Sequence, residues 1–529
     1  MIAQTVLITG ATDGIGLALA HHYAGRGARL LLLGRRPLAE LTDPLFSEAT
    51  FCAADLADPV AADTITKWLN ERAVDALHVA YLNAGVGYVG PLHHHPLSEI
   101  ARLVQVNFTA QTNLVHRLAP RLLATRGRLV LISSAAAPMP TPDYAVYTAT
   151  KAALESFAAN LRSELHAQGL PLHITVIRPG ATRTGLHAKS GASPARMDWS
   201  RFTPADQVAT AIIRHVEAGR TVASIGMAAQ ATGWVSHLAP GLLTPIVRAR
   251  TALPRPMQPA ARHPHIVITG AAAGIGRALV QVFAAMHGAT AQFAVTAIDR
   301  NEAGLTTLAQ ELAAAPCDFA PVYTDLANLE QVADCVQTLA YRPPITVFIH
   351  NAGINAVGPF LSADLVEQAR VTAVNLTAPL ALTAGLLHHN RLAQGSTLVF
   401  ISSLSHFVGY PGAAVYAATK DGLVSFARSL RAAFEPHICN VLTVFPGPTR
   451  TDHAARYSPD NRRAHRRMPP SDLAQRTWRA IVARRTVLVP GPINATAAVA
   501  ARLAPGLMTA LMRRALFQPL LTRRPLDSP

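Results

Sequence analysis

A chain of 529 residues, half of them hydrophobic and 15% charged, is too long for one core and fits two globular domains of about 250 residues each; that composition excludes a disordered protein. The formal net charge is +16, carried by arginine with four lysines, Lys67, Lys151, Lys189 and Lys420. The bias reads either as a compositional habit or as attraction to an anionic membrane surface or an acidic substrate. With no basic helix interleaved with aromatics and no zinc-finger spacing, no nucleic-acid partner is expected.

In chain order, Thr5–Ile8 reads as a buried strand, Gly16–Gly25 as a helix and Arg29–Leu33 as a second strand. His78–Leu82 and Arg128–Ile132 read as further strands, Thr150–Gln168 as a long amphipathic helix and His173–Ile177 as another strand. Continuous apolar strands between helices predict a parallel sheet covered on both faces, the doubly wound α/β fold. The N-terminus runs at once into a strand and a glycine turn, without the charged start and apolar stretch of a signal peptide, so the expected location is the cytoplasm. Cys52, Cys317, Cys335 and Cys439 form no CxxC pair, which suits a reducing compartment. The 22 histidines show no ligand spacing, His93–His95 reads as an exposed loop, and no metal is expected.

The pattern then repeats. Thr9–Gly16 returns as Thr269–Gly276, Asn83-Ala84-Gly85 as Asn351-Ala352-Gly353, and Val106-Asn107 as Val374-Asn375. Ile132-Ser133-Ser134 returns as Ile401-Ser402-Ser403, Tyr147–Lys151 as Tyr416–Lys420, and Pro179-Gly180 as Pro446-Gly447. Leu238–Leu242 (LAPGL) returns as Leu503–Leu507. Order and spacing hold across all seven, with offsets of 260 to 269 residues, so the chain is a duplication or fusion of two homologous units. The expected organisation is a domain over 1–250, a proline-rich linker over 251–264 and a second domain over 265–529: two Rossmann-fold domains in tandem.

The glycine turn between a first strand and a first helix lets backbone approach a pyrophosphate at a helix N-terminus. Its candidate contacts are Gly10, Thr12, Gly14, Ile15 and Gly16 in the first unit, and Gly270, Gly274, Ile275 and Gly276 in the second. An acid at the end of the second strand binds ribose hydroxyls, whereas an arginine accommodates a 2′-phosphate. Leu33-Gly34-Arg35-Arg36 therefore favours NADP in the first unit through Arg35, and Asp299 favours NAD in the second.

Both halves resemble the short-chain dehydrogenase/reductase family: the pattern TGxxxGIG, NAG, a helix Asn, Ser, YxxxK and PG occurs in order, twice. The resemblance implies an oxidoreductase interconverting alcohols and carbonyls, with Asn107, Ser134, Tyr147 and Lys151 as one catalytic tetrad and Asn375, Ser403, Tyr416 and Lys420 as the other. Ser134 and Ser403 each stand thirteen residues before the tyrosine, the family interval; Tyr144 and Tyr410 lack a lysine at i+4. Chemically, carbonyl reduction needs a proton donor at oxygen, and a lysine one helical turn on is expected to lower the pKa of a tyrosine acting as that donor. In the family the lysine also holds the nicotinamide ribose, the serine polarises the carbonyl and the asparagine anchors a water. By the same matching Asp55 and Asp325 resemble adenine contacts, Asn83 and Asn351 with Gly85 and Gly353 support sheet and cofactor, and Thr184 and Thr451, after Pro179-Gly180 and Pro446-Gly447, resemble contacts to the nicotinamide amide. Two of the four lysines occupy the YxxxK positions of an arginine-rich chain, and arginine cannot replace lysine there without changing donor geometry.

The loop after each PG motif is the expected specificity element. It carries His187, Lys189 and Met197 in the first unit, and Arg450, Arg456, Arg462, Arg463, Arg466 and Arg467 in the second. The arginines read as a solvated lid or as a grip on an anionic or carrier-bound substrate. Val222–Val247 contains no charge and Val487–Met512 only Arg502, but glycines and prolines interrupt both. Each reads as a last strand followed by a helix packed in a core or in an oligomer or domain-pairing interface, or as a peripheral membrane anchor. For the whole chain the expected function is two NAD(P)-dependent sites acting on a hydrophobic or acyl-type substrate. The alternative is one catalytic half, the other serving as nucleotide-binding scaffold or sensor.

Overall fold

The computed structural model describes residues 4–191, 199–226, 247, 257–261, 263–287, 292–458, 461–462 and 464–522. The chain divides into two compact units, one built mainly from Met1–Gly90 and Ala101–Leu243, the other mainly from Thr244–Pro359 and Ala363–Pro529.

In the first unit seven strands, β1 Thr5–Thr9, β2 Arg29–Gly34, β3 Phe51–Ala53, β4 Val79–Leu82, β5 Arg128–Ile132, β6 His173–Pro179 and β7 Val222–Ile225, form one parallel sheet in the order β3-β2-β1-β4-β5-β6-β7. Val6, Ile8, Tyr81, Val130 and Ile177 from its centre pack with Leu19 of helix α1 (Gly14–Ala24) and with Val208 and Ile212 of a helix over Ala205–Glu217. All five residues of β1 are buried, and its centre, Val6-Leu7-Ile8, is a continuous apolar run instead of an alternating one.

The second unit repeats the plan. Strands β8 His265–Thr269, β9 Phe293–Asp299, β10 Cys317–Tyr323, β11 Ile345–His350, β12 Leu392–Ile401, β13 Cys439–Val444 and β14 Val487–Leu488 lie in the order β10-β9-β8-β11-β12-β13-β14. In both sheets the order reverses beside the first strand, between β1 and β4 and between β8 and β11; this is the crevice where doubly wound folds place their ligand. The YxxxK helices are α2 (Ala145–Ala167) and α3 (Ala414–Ala433). Helix α2 begins five residues before the expected Thr150. After Ala145 its first turn, Val-Tyr-Thr, has weak intrinsic helix preference and is held by burial of Ala145, Val146, Thr148 and Ala149.

One other expectation is corrected, and the linker gains a local detail. His93 and His94 belong to a short 3-10 turn and His95 is buried, so the triplet is not an exposed loop. The expected linker lies partly outside the described residues, but Gln258 bridges to Ala393: its amide donates to the Leu392 carbonyl (3.0 Å) and its carbonyl accepts from the Gln394 amide (2.8 Å). The end of that segment is thus paired to the second sheet. Of the two uncharged segments, most of the first, with Leu238–Leu242, lies outside the described residues. The second forms β14 and then two short helices, α4 (Pro492–Leu503) and α5 (Pro505–Met512), broken at Ala504. Among the described residues one helical run, Leu365–His388, is long and apolar enough to cross a bilayer, and 78% of its most apolar 18-residue stretch is buried inside the protein, as in a core helix.

A Cβ at Gly16 or Gly276 would run into the carbonyl oxygen of Gly10 or Gly270 and the amide of Asn83 or Asn351. The Gly276→Ala variant is expected to carry an overpacking cost of about 1–3 kcal/mol, lowering the melting midpoint of the second unit by roughly 5 °C. Calorimetry of the full chain checks this, and an unchanged thermogram would mean that the turn yields to a methyl group.

Candidate active sites

The two sites are built alike, each around a lysine brought into the interior. Lys151 and Lys420 are 3% and 4% exposed. Each donates from Nζ to the carbonyl at the end of the neighbouring strand, Ile132 at 2.9 Å and Ile401 at 3.0 Å. Room for the amine comes from the NAG glycines: a Cβ on Gly85 would lie 3.3 Å from Lys151 Nζ and one on Gly353 3.1 Å from Lys420 Nζ. Tyr147 and Tyr416 lie one turn earlier, with their ring centroids 5.8 Å from the ammonium nitrogen in both units. Their hydroxyls are hydrogen-bonded to Ser134 and Ser403. The adjacent serines point elsewhere: Ser133 donates to Glu155 (2.6 Å) and Ser402 to the Lys420 carbonyl (3.3 Å). Tyr144 stacks edge-on against Tyr147, and Tyr410 against Tyr416.

Asn107 and Asn375 sit in π-helical turns, Gln105–Thr109 and Ala373–Thr377, and are fully buried. Each side chain clamps the loop after the central strand. Asn107 accepts from the Val86 amide and donates to the Val86 carbonyl, both at 2.9 Å; Asn375 does the same with Ile354, also at 2.9 Å. The second amide hydrogen reaches the hydroxyl of Thr150 (3.2 Å) or Thr419 (3.3 Å). Both side-chain donors are thereby engaged within the protein, so the side chain acts as a clamp. The π turns and the two threonines are features the sequence reading missed, although a Thr-Lys pair closes both YxxxK motifs.

Burial pushes Lys151 and Lys420 down to about 8. Burial also raises Tyr147, to about 12, and Tyr416, in each case against the lowering effect of the serine hydrogen bond. The expected lowering of the tyrosine by its lysine is therefore not present in the protein by itself. The reason is the order of titration: an amine of about 8 holds its charge at neutral pH, where it remains available to the phenol, but loses it before such a phenol ionises as pH rises.

Gly10 and Gly14 take the left-handed conformation at φ +63° and +54°, and a Cβ on Gly14 would meet the Thr184 methyl at 2.7 Å. Thr451 sits over Gly274 in the same way, while its hydroxyl accepts from the Ala454 amide (3.1 Å) and so caps the helix Asp452–Tyr457. Asn83 and Asn351 tie the turn to the central strand by donating to the Thr9 (3.1 Å) and Thr269 (3.0 Å) carbonyls. The Leu404 amide donates to the Pro446 carbonyl (2.9 Å), and the Gly180 amide to Ile225 (3.0 Å), which fixes the PG loops beside the turn. In the second unit a cavity of about 690 Å³ runs from Gly270, Gly274, Ile275, Asp299 and Asp325 past Asn351 and Gly353 to Tyr416, Lys420, Pro446, Gly447 and Thr451. A nicotinamide dinucleotide fits this set: backbone bared by glycines, a carboxylate at the ribose end and a buried amine with donors left over at the reacting end.

The sheet register corrects the comparison of Arg35 with Asp299. Thr9 pairs with Leu33 and Thr269 with Ile298, so Gly34, not Arg35, occupies the place of Asp299. Arg35 and Arg300 are counterparts. In the second unit Asp299 accepts from the Ala272 amide (3.0 Å); in the first, the space is taken by the Thr12 methyl, 2.7 Å from a Cβ built on Gly34. Arg36, passed over in the sequence reading, reaches the Thr12 carbonyl (2.6 Å) above the turn. Asp55 is exposed and caps its own turn at the Ala57 amide (2.9 Å), whereas Asp325 is paired with Arg370 (2.9 Å).

Of the arginines after the second PG motif, Arg450 and Arg467 line the cavity, Arg462 and Arg466 are exposed, and Arg463, like Met197 of the first unit, lies outside the described residues. His453, also missed, lines the cavity from an exposed position, and local desolvation together with the positive charges of Lys420 and Arg456 lowers its pKa. In the first unit the short helix Leu186–Lys189 is pinned to the glycine turn by an ion pair from Lys189 to Asp13 (2.6 Å).

The short chain dehydrogenase family matches this chain twice, over residues 4–195 and 264–462. The chain is similar to serine 3-dehydrogenase of Rhizobium radiobacter, 34% identical over 186 residues (35% of this chain and 74% of that protein). It is also similar to a hydroxysteroid 11-beta-dehydrogenase 1-like protein of Macaca fascicularis, 30% identical over 217 residues (40% of this chain and 74% of that protein). Among solved structures, a short-chain dehydrogenase from Sphingobium yanoikuyae in complex with NADPH is 28% identical, covers 44% of this chain and 91% of its own, and has a TM-score of 0.39. The chain belongs to the short-chain dehydrogenase family, with the family's domain present in tandem. It is an NAD(P)-dependent oxidoreductase acting on CH–OH donors.

Between about pH 8 and the ordinary lysine value of 10.5, the unfolded chain binds more protons than the folded chain at Lys151 and Lys420, so their contribution makes the folded state more stable as pH rises through that window. The Lys151→Met and Lys420→Met variants are expected to remove this rise. Urea titrations from about pH 8 to about pH 10 check it, and parallel stability curves for wild type and variants would show that the buried amines carry no such penalty.

Proposed function

We propose that both units are working hydride-transfer sites for secondary alcohols and ketones. The observation that carries this is the serine–tyrosine hydrogen bond with a buried lysine one turn later, present in each unit. A bound nicotinamide supplies or accepts the hydride. In the reducing direction Ser134 or Ser403 holds the carbonyl oxygen, and Tyr147 or Tyr416 gives its proton to that oxygen as the carbonyl carbon gains the hydride and the π pair moves to oxygen. Lys151 or Lys420 binds the cofactor ribose and carries the positive charge that lets the phenol release a proton, which requires it to hold its ammonium form. Asn107 and Asn375 act as positioning residues through the loop that they clamp.

Cofactor choice differs between the units in this reading. The first takes NADP, because Gly34 leaves no carboxylate to repel a 2′-phosphate and Arg35 and Arg36 flank the site. The second takes NAD through Asp299. Such a pair runs oxidation in one unit and reduction in the other, giving net inversion of a hydroxyl or two steps on one substrate. Leu404, Val408, Tyr410, Tyr457, Met512 and Leu516 around the reacting end of the second cavity favour a hydrophobic substrate. Arg450 and Arg467 on the same wall are where an anionic or carrier-linked end would be held. A single working site beside a nucleotide-binding scaffold is the competing reading, and single-site variants separate the two.

In the full chain, Tyr147→Phe and Tyr416→Phe are each expected to lower turnover at their own site by about 10²–10⁴-fold while nucleotide binding persists, since only the proton donor is lost. Steady-state assay of each variant against hydrophobic alcohols and ketones checks this; a variant that keeps every wild-type activity makes that unit the scaffold. The cofactor assignment has its own measurement. With the first site silenced by Tyr147→Phe, the remaining activity should prefer NADH, and adding Asp299→Gly should shift the NADPH/NADH ratio of kcat/KM upward by about tenfold or more. An unmoved ratio would remove Asp299 as the discriminator.

A further inference from the structure

The repeated LAPGL motif plays no part in the chemistry above, yet in the second unit it forms the most exposed apolar feature of the C-terminal helices. Leu503, Ala504, Pro505, Gly506 and Leu507 make the corner between α4 and α5, and all five are exposed, Leu503 at 82% and Leu507 at 64%. A Cβ added to Gly506 would meet nothing within 4 Å. Leu511, one turn beyond Leu507 on α5, is 51% exposed, which extends the corner into a stripe. Leaving several leucines in water on adjacent turns is unfavourable, and such a patch marks a surface that meets another apolar phase.

Charge decides which phase. No acidic residue occurs between Asp472 and Asp527, whereas Arg502, Arg513 and Arg514 flank the stripe. Arg502 and Arg514 are exposed, and the Arg502 guanidinium lies 5.1 Å from the Phe407 ring, braced beside the corner. A second copy meeting the same face would set arginine against arginine with no carboxylate to answer it. An anionic lipid surface answers both properties, because leucines enter the acyl boundary while guanidinium groups remain at headgroup depth. The opposite side of the same helical segment faces the protein: Met512 and Leu516 line the cavity and Phe517 is fully buried. The stripe is therefore backed by the wall of the second site.

We propose that the α4–α5 corner of the second unit, through Leu503, Leu507 and Leu511 with the flanking arginines, is a docking surface for an anionic lipid bilayer. The test is flotation of the full-length protein with vesicles of phosphatidylcholine, with or without phosphatidylglycerol, at low salt. The wild type is expected to float with the anionic vesicles and to be released by salt. The Leu503→Ser, Leu507→Ser and Leu511→Ser variants are each expected to weaken partitioning by about tenfold, and the triple variant to remain at the bottom of the gradient with an unchanged melting profile. The proposal is overturned by a wild type that stays down with anionic vesicles, by a triple variant that floats like wild type, or by equal flotation on phosphatidylcholine alone. It is also overturned if the triple variant dissociates an oligomer seen on sizing while the wild type never floats, since a second copy would then be the occupant. None of these outcomes depends on turnover, so failure here and failure of the catalytic reading are told apart.

Discussion

An ammonium carried into the interior with no carboxylate within ion-pair distance among the described residues is the constraint around which each unit is built. It keeps one hydrogen bond to a strand-end carbonyl, Ile132 or Ile401, and its charge is destabilised enough to bring the lysine down to about 8. Everything adjacent serves that placement. The glycine of NAG leaves the space, the asparagine of the π turn locks the NAG loop, and the threonine before the lysine receives the asparagine's second hydrogen. The tyrosine begins the same helix one turn earlier and is reached by the serine from the neighbouring strand end. A guanidinium at the lysine position would be larger and would present a different donor geometry, which accounts for lysine in both places of a chain where arginine predominates.

Where that constraint does not reach, the two copies have diverged. At the end of the second strand one unit has no side chain and packs a threonine methyl into the space, while the other holds a carboxylate against the Ala272 amide. Over the glycine turn the first unit closes a short helix through the Lys189–Asp13 ion pair, whereas the second caps a longer helix with Thr451 and sets His453 in the cavity wall. Conservation of the reacting centre beside divergence at both ends of the cavity is the pattern expected of one chemistry applied to different cofactors and substrates.

The physics also ties the second site to the outer surface of its unit. The C-terminal helical segment has two apolar sides, one turned inward through Met512, Leu516 and Phe517, the other left in solvent through Leu507 and Leu511. The inward side is explained by the cavity it lines. The outward side has no such explanation within the unit, and the stretch of chain that carries it holds Arg502, Arg513 and Arg514 with no acidic residue between Asp472 and Asp527.

Periodicity and spacing along the chain were enough to establish the duplication, the parallel doubly wound sheets and the residues that gather at each site, because these follow from local pattern: apolar runs, glycine turns and an i+4 pair on one helix face. Register was not legible. Arg35 stood in for Gly34 as the counterpart of Asp299 because neighbouring positions are separated by strand pairing alone. Protonation was not legible either: the lysine that proximity suggested would acidify its tyrosine is itself made neutral near pH 8 by burial, a property of the whole surrounding volume. The clamp formed by Asn107 and Thr150, or by Asn375 and Thr419, joins residues 43 and 44 positions apart, and the exposure of the LAPGL corner depends on which side of α5 the cavity takes. Sequence determined which groups are present and how they are spaced; tertiary structure decided which hydrogen bonds they use, what charge they hold and which apolar face is left uncovered, because each of those depends on neighbours distant in the chain.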